Sequence, residues 1–140
     1  MYGALLKCKA PDAPYGRLGM PLPAELTIVP PTADVSPELA MISGVWFGTL
    51  YGYPEKSSQS VLLVVQYIDN YTATVIHSYR YQDGTGGWDK VSYRVAENNT
   101  LERILPSGKT FRFRLVNGKL EGERIEDGRR ATITMTKQER

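Results

Sequence analysis

From Gly44 onward, turn residues recur every 8–12 positions and divide the chain into short β-type runs. The breaks are Asp69-Asn70, Glu97–Asn99, Pro106–Gly108, Asn117-Gly118 and Asp127-Gly128. Asn-Gly and Asp-Gly suit the left-handed central positions of two-residue hairpin turns. The runs between the breaks predict eight strands, over 44–53, 60–68, 71–81, 89–96, 100–105, 110–116, 119–125 and 129–137. No long helical period interrupts them, which excludes parallel βαβ units. The expected fold is all-β: an antiparallel up-and-down (meander) β-barrel of about eight strands.

Two turns fix the register of the last three strands. An Asn117-Gly118 turn sets Leu115 opposite Leu120, Arg114 opposite Glu121, Phe113 opposite Gly122 and Arg112 opposite Glu123. An Asp127-Gly128 turn sets Ala131 opposite Arg124, Ile133 opposite Gly122 and Met135 opposite Leu120. Both give the same inner face, Phe111, Phe113, Leu115, Leu120 and Gly122. Both give an outer face of opposite charges and threonines (132, 134 and 136). The Phe111-Arg112-Phe113-Arg114 alternation is therefore a half-buried strand and not a basic-aromatic stripe for nucleic acid, because rings and guanidinium groups point to opposite faces.

The segment before the barrel reads differently. Seven of the nine prolines fall within residues 1–37. Residues 1–36 are expected to form an irregular Pro-rich arm, with one extra strand over 24–29. Ser36-Pro37-Glu38 is an N-cap, a proline at the first helical position and an acid in the first turn, so a short helix over 37–42 opens the barrel domain, 37–137. The 140 residues suit one domain. The single cysteine excludes an intrachain disulfide, and with one histidine it leaves no metal cluster. No cofactor is expected. The net charge of +2 is too small to suggest a nucleic-acid partner. It is uneven: residues 1–100 carry seven Lys/Arg against nine Asp/Glu, and 101–140 carry ten against six. No apolar run is long enough for a membrane span, and the N-terminus lacks the pattern of a secretory signal, so a cytoplasmic location is expected.

In a meander, alternate connections lie at one end. The tight turns at 69–70, 97–99 and 117–118 share a closed end, while 54–59, 82–88, 106–108 and 126–128 surround an open mouth. Asp83-Gly84-Thr85-Gly86-Gly87 is glycine-rich but opens no helix. It reads as a mobile mouth loop and not as a phosphate cradle.

The run from Pro37 to Gly48, a short helix followed by Gly44-Val45-Trp46 on the first strand, resembles the opening of the calycin superfamily, the lipocalins and fatty-acid-binding proteins. The resemblance covers 37–137 in pattern. It implies a meander barrel and Trp46 as a structural plug at the closed end. It also implies a basic residue of the last strand, here Lys137 in place of the family's arginine, packed over that tryptophan. The disulfides of secreted lipocalins and the helical lid of intracellular fatty-acid binders have no counterpart here. The likeness is therefore to a bacterial lipocalin-like barrel.

Candidate site residues follow from the mouth. Pairing 60–68 with 71–81 through a two-residue Asp69-Asn70 turn places Leu62, Val64, Ala73, Val75, His77 and Tyr79 on one face, and Val61, Leu63, Val65, Ile76 and threonines on the other. Both are apolar enough to be inner, and the first is taken as inner because threonines suit an outer surface. His77, Tyr79 and Arg124 then lie toward the mouth with Phe111 opposite Arg124, Trp88 at the rim and Tyr93 lower in the wall. Leu62, His77, Tyr79, Trp88, Tyr93, Phe111 and Arg124 are the candidate ligand-binding set. An arginine clamp and tyrosine hydroxyls among aromatic rings suit a small amphipathic or anionic ligand. A lone strand histidine is ordinarily structural, however, and an arginine near a strand end reaches water. Barrels of this size either hold a small ligand or fill with side chains. Three classes stay open. One is a lipocalin-like binding protein. Another is a filled barrel serving protein interaction or inhibition. The third is a cyclase- or isomerase-type enzyme using the cavity, for which no catalytic residue is assigned. An apolar arm would also allow a homodimer.

Overall fold

The computed structural model describes residues 6–9, 19–52 and 58–138. The readings of 1–5, 10–18 and most of the connection at 54–59 lie outside these residues. Eight antiparallel strands close into a meander barrel: β3 (Gly44–Gly52), β4 (Gln59–Ile68), β5 (Thr72–Tyr81), β6 (Gly86–Ala96), β7 (Thr100–Ile104), β8 (Thr110–Val116), β9 (Lys119–Glu126) and β10 (Arg129–Lys137), which pairs back to β3. Preceding them, β1 (Leu6–Lys9) and β2 (Glu25–Ile28) form a separate two-stranded antiparallel sheet. The arm is thus less irregular than its prolines suggest.

The last three strands pair in the expected register, from Leu115↔Leu120 through Phe113↔Gly122 to Ala131↔Arg124. Asn117 and Asp127 have φ of 52° and 54°, followed by Gly118 and Gly128 at 79° and 75°. Two consecutive left-handed residues give the hairpin the strand's own twist. Gly122 is glycine for another reason. A Cβ there would stand 2.4 Å from the Phe113 ring, so the missing side chain is what lets that ring fill the lumen.

At the closed end the short helix α1 (Pro37–Ala40) carries Leu39 into the core, and its cap residue Ser36 accepts from the Leu39 amide. Asn70 ties this helix to the β4–β5 turn. Its Oδ1 accepts from the Ser36 amide at 2.9 Å, and its amide nitrogen donates to the Asp34 carbonyl at 2.9 Å. Trp46 is buried and donates Nε1–H to the Ile42 carbonyl at 2.8 Å. Lys137 Nζ lies 5.4 Å from the Trp46 ring centroid and donates to the Met41 carbonyl at 2.9 Å, closing this end with a cation over an aromatic face.

The inner face of β4 corrects the expected pairing. A two-residue turn at Asp69-Asn70 keeps Leu62 on the inner face. The actual loop is longer, with Ile68↔Ala73, and a bulge between Val65 and Tyr67 then shifts the register by one. One residue of slip exchanges the two faces of a strand. Val61, Leu63 and Val65 therefore join Ala73, Val75 and Val91 in the lumen. Leu62, with Val45, Val64 and Ile76, faces outward beneath Met20, Leu26 and Ile28 of the arm, in a second apolar layer. Among the described residues, four hydrogen bonds fasten the stretch 19–29 of the arm. The Val29 amide donates to the Gln66 carbonyl, Gln66 Nε2 to the Thr27 carbonyl, Ser78 Oγ to the Pro21 carbonyl and Arg80 to the Gly19 carbonyl.

Candidate functional site

The lumen is filled upward from the closed end. Trp46, Leu63, Leu101, Leu120 and Met135 are buried there. Above them the Tyr93 and Phe113 rings meet edge to face, 5.8 Å apart. Nearer the open end, His77 of β5 meets Phe111 of β8 edge to face at 5.8 Å. These strands are not neighbours, so this contact crosses the barrel interior and forms a floor. The space above it, at the mouth, is the candidate cup.

The wall above that floor is aromatic and cationic. Tyr79 stands 6.3 Å from His77 and 5.8 Å from Tyr81, both edge to face. Arg103 pairs with Phe111 across β7 and β8, and Arg124 pairs with Phe111 across β8 and β9, so both share the inner face with that ring. Arg124 is buried. Lys109 Nζ sits 5.5 Å from the Phe111 ring centroid. Asp89 lies opposite His77 on β6. At the rim Glu126 is opposite Arg129, a pair that offsets itself.

His77 reports the field of this cup. Burial, and then the charges of Arg103, Lys109 and Arg124, push its pKa down to about 4, while Asp89 pulls the other way. The imidazole is therefore neutral at pH 7, able to donate from one nitrogen and accept at the other. Below it, burial raises the pKa of Tyr93. Its hydroxyl is buried with no hydrogen-bond partner among the described residues.

The structure brings His77, Tyr79, Phe111 and Arg124 together at the open end, with Tyr93 one ring lower. Two of the sequence candidates fall elsewhere. Leu62 is on the outer face, under the arm, for the register reason given above. Trp88 pairs with Ser78, whose hydroxyl bonds the arm, so the indole lies on the outside of the wall and is 42 % exposed. The glycine-rich mouth loop is also shorter than its sequence implies. Gly86 and Gly87 belong to β6, and the Tyr81 amide closes the turn on the Thr85 carbonyl at 2.8 Å. Sequence reasoning missed Arg103, Lys109 and Asp89. Arg103 was accessible in principle. Once Phe111 and Phe113 face inward, the three-residue turn after β7 carries the alternation back to Leu101 and Arg103. Among the described residues no group of three or more metal-ligating side chains is assembled.

No protein-family model matches the chain, and no curated protein matches it by sequence. Similar solved structures exist. One is a redesigned β-barrel bound to DFHBI, 15 % identical with a TM-score of 0.58, the match covering 73 % of this chain and 100 % of that one. Another redesigned β-barrel is 18 % identical with a TM-score of 0.58, covering 73 % and 96 %. A de novo designed fluorescence-activating β-barrel is 13 % identical with a TM-score of 0.53, covering 76 % and 100 %. At such identities the likeness is one of fold.

Proposed function

We propose that this small β-barrel is a lipocalin-like binding protein whose open end holds a small, partly apolar anion. The observation that carries the reading is the gathering of Arg103, Lys109 and Arg124 about the Phe111 ring, which meets the half-buried His77. Cations held over apolar surface favour a ligand that offers both charge and rings, because a guanidinium binds a carboxylate or sulfonate in two directions and the rings take the apolar body. The neutral His77 adds a hydrogen bond without cost to the anion. A barrel of similar fold bound to DFHBI supports the choice of a small molecule as the occupant. The His77–Phe111 contact closes the lumen beneath, which favours a small ligand.

The test is a fluorescence titration with anilinonaphthalene sulfonate and, in parallel, with uncharged anilinonaphthalene. The sulfonate is expected to bind at least about tenfold more tightly, a difference of about 1.4 kcal/mol. The preference should shrink as salt is raised. Arg124→Ala should remove it while the fold survives. Equal binding of the two probes, or a preference untouched by Arg124→Ala, overturns the reading in favour of a filled barrel.

A further inference from the structure

One seam of the barrel is only half closed. β6 pairs with β5 along its length, from Thr72↔Arg94 to Arg80↔Gly86. With β7 it pairs at three positions only: Arg94↔Glu102, Val95↔Leu101 and Ala96↔Thr100. β7 runs on to Ile104 but stays with β8, ending at Ile104↔Thr110. From Tyr93 toward the mouth the two strands therefore part. In an antiparallel strand, alternate residues turn their N–H and C=O toward each neighbour. Among the described residues no strand register with β7 continues past Arg94↔Glu102, so the side of 86–92 that faces β7 is an unpaired strand edge. Such an edge is a template for another strand.

The side chains beside this opening are unusual for a bare wall. Trp88 and Ile104 are outward-facing on its two sides, 42 % and 58 % exposed. On the inner side stand Arg103 and Lys109, and Lys90 of β6 is exposed. Asp89 is the carboxylate set among them, whereas Arg94 and Glu102 bind each other where the seam is closed.

We propose that the open seam between β6 and β7 is a docking edge for an extended segment of a partner protein that alternates apolar and acidic residues. The incoming strand pairs with the edge of 86–92 that faces the seam. Side chains alternate across a strand, so its apolar set covers Trp88 and Ile104 while its acidic set reaches inward to Arg103 and Lys109. The main chain supplies affinity, and the two faces supply specificity. A second copy of this chain fits less well, because its own β6 edge would bring Lys90 and the same excess of cations. The edge shares Arg103 and Lys109 with the cup, but the two are separable: Trp88 and Ile104 lie outside the cup, and Arg124 lies within it.

The probe is an acetylated, amidated peptide of about seven residues alternating valine and glutamate, against one alternating valine and lysine. Binding is followed by calorimetry and by backbone amide exchange resolved at 86–92. The acidic peptide is expected to bind saturably and to slow exchange there by about tenfold or more. Trp88→Ala and Ile104→Ala, both at exposed positions, should each weaken it several-fold and leave the sulfonate titration unchanged. Arg124→Ala should do the reverse. Equal binding of the lysine peptide, or binding without protection of 86–92, overturns the proposal. So does slow exchange at 86–92 in the free monomer, which would mean that the edge is already covered. Dimerisation accompanied by that protection would replace the partner with a second copy.

Discussion

The sector β3–β5 and the sector β8–β10 belong to one barrel and line one lumen, yet their outer faces differ. Inside, Trp46, Leu63 and Val75 on one side meet Phe113, Leu120 and Ile133 on the other. Outside, β3–β5 carries Val45, Leu62, Val64 and Ile76 beneath Met20, Leu26 and Ile28. Outside β8–β10, and running on to β7 and β6, lies a lattice of ions. Glu102 accepts from Arg94 and Arg112, and Glu123 accepts from Arg112 and Arg130. The first sector is the middle of three layers, and the second is the outer of two. The periodicity of a strand therefore reports how many layers cover it and not merely that it is a strand.

The largest effect that separates the sectors comes from equivalent outward positions. Leu62→Ala should destabilise the protein by about 2–5 kcal/mol, the cost of a cavity in a packed interior. Thr134→Ala, outward on β10, should change stability by no more than about 0.5 kcal/mol. Urea unfolding of the two variants decides between the three-layer and two-layer descriptions. A Leu62→Ala cost below about 1 kcal/mol would mean that the arm does not seal that face.

The same difference governs what could be read from the sequence. In β8–β10, charge on one face and apolar groups on the other made the register derivable from two turns, down to Phe113 opposite Gly122. In β4, apolar residues on both faces left the choice to turn geometry, and the bulge after Val65 reversed it. A bulge leaves no composition signal when both faces are apolar, so Leu62 was assigned to the lumen. Trp88 failed for a related reason. Gly86 and Gly87 suggest a loop, yet they pair with Arg80 and Tyr79, and β6 then carries the indole to the outside. The inward positions of His77, Tyr79, Phe111 and Arg124 were legible because alternation along β5, β8 and β9 is undisturbed there. The cationic company of His77 takes one step more: Arg103 follows only when the alternation is carried back through the turn before Thr110, and Lys109 lies in that turn, where strand alternation does not place it.

His77 is where the covered sector faces the cations of β7 and β9, so its titration measures that meeting. With its pKa held near 4 in the folded state against about 6.5 unfolded, the unfolded chain takes the proton first as pH falls. Stability due to the neutral imidazole is complete above pH 6.5 and declines as pH drops toward 4. Allowing for partial exposure, the decline attributable to this group is about 2 kcal/mol. Wild type should lose that much more than His77→Gln between pH 7 and pH 4 in matched unfolding curves. Parallel curves would mean that neither burial nor the charges of Arg103, Lys109 and Arg124 hold the His77 pKa down.

The smallest effect belongs to the ion lattice of the bare sector, and its size tests what that lattice is for. Arg112 donates to Glu102 at 2.8 Å and to Glu123 at 3.5 Å, and its own side chain is 41 % exposed. Those contacts hold the Glu102 carboxyl below its usual range, with the Arg112 hydrogen bond the leading cause and burial opposing it. Exposed pairs contribute little, because water already solvates the charges and two long side chains must be ordered to join them. Glu102 itself is buried, which would make the loss of a partner more costly, but it keeps Arg94. Arg112→Ala should therefore destabilise the barrel by about 1 kcal/mol in low salt and by less as salt screens what remains. A loss above about 2 kcal/mol, insensitive to salt, would show Glu102 behaving as a buried charge deprived of its counter-ion. In that case the two sectors would be alike in hiding their outer faces, one beneath an arm of chain and the other beneath its own arginines.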